Sequence, residues 1–131
     1  MSLGAIASDH LDYVEQQAPR SGRAAVEIAV DLHAWGGATA GVTRNISPEG
    51  AFVSTSRMLA VGDRVMLMLA VPGRRAPLAV RAEVRWSRGT DESVAARRPA
   101  GMGLRFVDPP FGVSLSLAEI IEEHHERADR R

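Results

Sequence analysis

From residue 25 to residue 34, apolar side chains fall on every second position. Val26, Ile28, Val30 and Leu32 alternate with Glu27, Ala29, Asp31 and His33. A period of two belongs to a half-buried strand, so a first strand is predicted over Ala25 to Ala34. Gly36-Gly37 supplies a turn, and the stretch from Ala38 to Ile46, rich in Thr, Val and small residues, predicts a second strand. Pro48 and Gly50 favour a tight turn, after which a short third strand is predicted over 51 to 56. A corner at Val61-Gly62-Asp63 precedes a fourth strand, Arg64 to Val71. Val65, Leu67, Leu69 and Val71 fill one face of it and Met66, Met68 and Ala70 the other, so it is expected to be covered twice, by the core and by a helix or partner. Pro72-Gly73-Arg74-Arg75 turns the chain into a fifth strand, whose Leu78, Val80, Ala82, Val84 and Trp86 share the inward face. A polar loop from Arg88 to Pro99 leads to a sixth strand, Gly101 to Phe106, whose glycines imply close backbone approach or a bend. Six short antiparallel strands predict a mainly β protein, a small barrel.

The period then changes. Leu117, Ile120, Ile121 and His124 fall at helical spacing, Ser116 and Glu119 form a capping-box pattern, and a helix is predicted over about 117 to 128. Glu119, Glu122 and Glu123 crowd its first turns and Arg127 and Arg130 its last, as the helix dipole favours. Its narrow apolar stripe should pack on the barrel mouth or on a second subunit, which makes a homodimer one candidate arrangement. Residues 6 to 17 show no strong cap or stripe, and a helix there stays open. A chain of 131 residues is sized for one domain, read as an N-terminal extension over 1–18 and a barrel with its C-terminal helix over 19–131.

Composition narrows the function. The longest apolar stretch, Val65 to Pro72, is too short to span a bilayer. Asp9, Asp12 and Glu15, with no basic start or long apolar run, argue against a secretory signal. The chain has no Cys, so it has no disulfide or thiolate chemistry, and a cytoplasmic location is the simplest expectation. Sixteen basic residues balance sixteen acidic ones, which leaves no global field to drive nucleic-acid binding. Six aromatics, mostly at core-like positions, also count against a single-strand binder. His10, His33, His124 and His125 have no metal-ligand spacing, and no phosphate loop, nucleophile elbow or paired carboxylates are evident. The expectation is a protein that is not an enzyme, has no catalytic residues and holds neither metal nor cofactor. The pairs Arg74-Arg75 and Arg97-Arg98 read as solvated loop residues first and as contacts for an acidic partner second.

The remaining polar signal is Asn45-Ile46-Ser47-Pro48-Glu49-Gly50, with Arg20 and Arg23 upstream. Two roles are open: a good turn behind a solvated segment, or a site where guanidinium forks and a polar cluster hold an anionic, planar ligand. The strand pattern, the arginines ahead of strand one, Asn45-x-Ser47-x-x-Gly50, Val84-x-Trp86 and Gly101-Met102-Gly103-Leu104-Arg105-Phe106 together resemble the PilZ family over about residues 19 to 127. The resemblance implies a six-stranded antiparallel PilZ-type β-barrel with a C-terminal α-helix, acting as a bacterial receptor for the second messenger cyclic di-GMP. It implies a ligand site of Arg20, Arg23, Asn45, Ser47 and Gly50, and an adaptor that changes the surface shown to a protein partner. In the family the arginines form Arg-x-x-x-Arg, whereas Arg20 and Arg23 form Arg-x-x-Arg. That departure sets up the alternative: a PilZ-like interaction module that has lost nucleotide binding and works through its Met66/Met68 face or C-terminal helix.

Overall fold

The structure, a computed structural model, describes residues 24 to 129. Its strands are β1 (Ala29–Ala34), β2 (Gly37–Ile46), β3 (Gly50–Thr55), β4 (Arg64–Leu69), β5 (Leu78–Arg88) and β6 (Gly101–Phe106). Each pairs antiparallel with its neighbours in the closed order β1-β2-β3-β6-β5-β4, as the pattern predicted. Because β1 pairs with both β2 and β4, the barrel presents no open strand edge. Two helices follow β5 and β6: α1 (Thr90–Ala96) and α2 (Phe111–Asp129).

The period-two pattern works as expected inside the barrel. Leu32, Ile46, Val53, Leu67, Val80 and Val84 are fully buried, and α2 adds Leu117, Ile120 and Ile121 to the same core. Of the two packing options for that helix, the structure shows the barrel core. Arg74 of the β4–β5 turn holds α2 in place, donating to Ser116 Oγ (3.0 Å) and Glu119 Oε1 (3.1 Å). Because that helix begins at Phe111, Ser116 lies inside it and does not cap it. The helix starts earlier than predicted, after Pro110, whose carbonyl accepts from Val113 N and Ser114 N. Among the described residues, no helix lies over the outer face of β4; Met66 and Met68 are half-buried and Ala70 is exposed.

Three further boundaries differ from the sequence reading. The segment from Arg88 to Pro99 contains α1, a helix with no buried residue and hence no apolar stripe to read. Its start is marked instead by Glu92, whose carboxylate accepts from Gly89 N (3.1 Å), and its end by Arg97 at φ 56. β5 continues to Arg88 through a bulge between Val84 and Trp86. The first strand begins four residues late, at Ala29, although Ala24, Val26 and Ile28 keep the buried alternation.

Thr43 explains how that leading segment is held. Its hydroxyl accepts from Ile28 N (2.8 Å) and donates to Val26 O (2.7 Å), and its own N–H donates to Ile28 O (2.9 Å). A fully buried side chain thus replaces a rung of the ladder. Thr43→Val keeps the shape and removes the hydroxyl, leaving one donor and one acceptor unpaired. At the low end of about 1–3 kcal/mol for each such group, since alternate residues of the segment are exposed, the expected loss is roughly 2–3 kcal/mol, seen as a lower urea midpoint at an unchanged m-value.

Candidate functional site

The polar turn sits where β2 passes into β3, and its shape comes from a slip in their pairing. Thr43 faces Val53 while Asn45 faces Phe52, so Arg44 is the extra residue of a bulge. Ile46 and Ala51, the next pair, point into the core. Asn45 and Phe52 consequently share the outer face. Arg44 remains exposed and lies 3.8 Å from Glu27.

Ser47 and Gly50 are occupied by the turn itself. Ser47 N donates to Gly50 O (2.8 Å), and Ser47 Oγ accepts from Glu49 N (3.2 Å) and Gly50 N (3.1 Å) and lies 3.3 Å from Gly50 O. A Cβ on Gly50 would overlap the backbone carbonyl oxygen of Leu104 across the β3–β6 ladder. Both residues are buried. Asn45 differs: it is 7% exposed, and its Oδ1 has no hydrogen-bond partner among the described residues. A buried acceptor in that state calls for a donor.

The chain arriving from the N-terminus is clamped at this point. Ala24 N donates to Ile46 O and Ile46 N to Ala24 O, both at 2.8 Å, so residue 24 lies alongside the residue between Asn45 and Ser47. Arg20 and Arg23 lie outside the described residues.

An aromatic platform continues the site across the outer face. Asn45 pairs with Phe52, Phe52 with Gly103, and Gly103 with Trp86. The β5 bulge puts Trp86 on this face instead of the inward face expected for it. There it stacks on Phe52 with ring centroids 5.2 Å apart and an interplanar angle of 15°. A Cβ on Gly103 would collide with the indole, so that glycine is what lets the indole lie over β6. Arg88 covers both rings, 4.9 Å from Trp86 and 5.7 Å from Phe52, and donates to Pro99 O (3.0 Å). Sequence reasoning missed Phe52 and Arg88 as parts of this surface. The available signal was Gly103, a glycine inside a strand that implied close approach without saying by what.

Among the described residues no three His, Asp or Glu side chains converge as metal ligands, and no helix is long and apolar enough to cross a membrane.

Comparison with known proteins agrees with this geometry. The sequence matches the family model described as the PilZ domain over residues 16–123. No curated protein matches it. Among solved structures, it is similar to the Bacillus subtilis inhibitor of motility (MotI/DgrA), with a TM-score of 0.65, 18% identity, and 84% of this chain and 51% of that one covered. The chain thus spans about half the length of that protein. It is also similar to the PilZ domain of CeSA from a cellulose-synthesizing bacterium, with a TM-score of 0.57, 18% identity, and 77% of this chain and 95% of that one covered.

Proposed function

Because this chain belongs to the PilZ domain family, we propose that it is a non-catalytic cytoplasmic receptor for cyclic di-GMP, an adaptor whose surface changes for a protein partner when the ligand binds. The observation that carries the reading is the clamp of Ala24 on Ile46 beside Asn45 Oδ1, which has no partner among the described residues. Arg23 is the next residue, one Cα step of ~3.8 Å from Ala24, and a bridged strand pair adds about 5 Å. In this proposal its guanidinium supplies the donors at the turn. Arginine offers a planar fork of donors that suits both a phosphate and the O6/N7 edge of guanine. The amide of Asn45 contributes a further acceptor and donor, and the half-buried indole of Trp86 offers apolar surface to a planar base. Ser47 and Gly50 shape the turn in this reading, with their side-chain capacity already used. On binding, Arg20 and Arg23 would engage the ligand at the barrel, and the partner would read the altered surface.

The test is calorimetric titration with cyclic di-GMP, with GTP and cyclic GMP as controls. Saturable binding specific to cyclic di-GMP is expected, weakened in Arg23→Ala by about 1–3 kcal/mol, or roughly 5- to 150-fold. Arg20→Ala should act in the same direction. Absence of heat at high ligand concentration, or equal affinity in both variants, would remove the proposed site.

Two observations favour a second reading, an adaptor that has lost cyclic di-GMP binding. Arg20 and Arg23 are one residue closer than the family spacing, and Ser47 and Gly50 have structural roles without any ligand. Under it, partner binding persists in Arg23→Ala.

A further inference from the structure

Trp35 stands at the tip of the β1–β2 hairpin and is 98% exposed. A large aromatic in water at a rigid turn is unusual in a monomer surface and typical of the anchors of protein interfaces. Beside it lies an open groove of about 250 Å³, lined by His33, Trp35, Arg64, Met66 and Arg81 among others. The ladder shows how it is built: His33 pairs with Met66 and Met66 with Arg81, all on the outer face, and the adjoining row runs Arg64, Glu83, Arg105. The floor is thus a thioether and the walls are arginine stems.

Charge decides what fits. Glu83 is the single carboxylate in these two rows, and both its oxygens are engaged, by Arg64 at 3.2 Å and Arg85 at 3.7 Å. Arg81 and Arg105 pair with no carboxylate among the described residues. The groove is smaller than the roughly 300–1,000 Å³ usual for small-molecule sites, and suits one apolar side chain. The barrel is closed, so a partner cannot dock by adding a strand and must bind through side chains. A flat anionic membrane would meet Glu83 at the centre of the arginines and exposed Asp31 one row away, whereas a peptide can place its carboxylates selectively.

We infer that this face docks an acidic segment of a partner protein, with an apolar side chain held between Trp35 and Met66 and flanking carboxylates on Arg81 and Arg105. The inference does not rest on nucleotide binding, since the groove shares no residue with the Asn45 turn.

The probe is a displayed library of random dodecapeptides selected on the full chain, on Trp35→Ser and on Arg81→Ser, all at exposed positions. Selection on the wild-type chain should enrich peptides with Asp or Glu flanking an apolar or aromatic residue. A synthetic peptide from that set should bind Trp35→Ser about 30-fold more weakly, the effect of a hot-spot aromatic. Its binding should also fall with salt and on Arg81→Ser. Peptides lacking acidic bias, equal binding to Trp35→Ser, or no enrichment would overturn the inference. So would Trp35-dependent co-sedimentation with phosphatidylserine vesicles in place of peptide binding, which would reassign the face to a membrane, or Trp35-dependent self-association in sedimentation velocity, which would reassign it to a second copy.

Discussion

Phe52→Ala should lower stability by about 3–5 kcal/mol, the usual cost of deleting a buried phenyl group. The ring is only 2% exposed, yet it lies on the outer face of β3 and outside the main core cluster. Its burial comes from Trp86 and Arg88 folded over it. Removing it therefore also costs the aromatic pair, about 0.5–1.5 kcal/mol, and leaves the indole without its stacking partner. Chemical denaturation measures the loss, and tryptophan fluorescence should show Trp86 moving into water. Phe52→Leu, which still fills the space, should keep much of the stability and lose the stacked geometry. An unchanged midpoint in Phe52→Ala would mean that the outer layer does not contribute as a packed cluster.

Gly50→Ala comes next in size. A Cβ there meets the carbonyl of Leu104, a backbone atom locked in the β3–β6 ladder, so it cannot move aside as a flexible side chain would. Overpacking against backbone belongs at the upper end of the usual range, about 3 kcal/mol. For a domain of this size that is roughly 10–15 °C in melting temperature. Gly112→Ala is the control, since nothing lies within 4 Å of its added Cβ. It should be neutral or stabilise by up to about 1 kcal/mol through helix propensity. If Gly50→Ala melted like wild type, the glycine of the Asn-x-Ser-x-x-Gly motif would owe its place to the ligand and not to the barrel. The expected result separates the two roles: Gly50 and Ser47 build the turn, while Asn45 keeps capacity for a ligand.

The barrel itself was readable from the chain, because burial in a sheet repeats every two residues and the alternation through Leu32, Leu67, Val80 and Val84 records which face each side chain takes. Such a record is local, and it fails where the outcome depends on a partner strand. The bulge after Val84 turns Trp86 outward, a change set by pairing with β6 and invisible in Val84-x-Trp86 alone. Helix α1 buries nothing and so leaves no periodic trace. Thr43 reads as one more β-branched strand residue until Val26 and Ile28 are seen to depend on its hydroxyl. At the candidate site, the positions of Asn45, Ser47 and Gly50 were legible as a polar turn, but their division of labour was not. Gly50 is defined by Leu104, and the platform beside Asn45 by Phe52, Gly103 and Trp86, residues far apart in the chain. Alternation of apolar and polar residues settles which side of a strand faces the core. Which side chains then meet on the outer face is set by register and bulges, and these exist only once distant strands have paired.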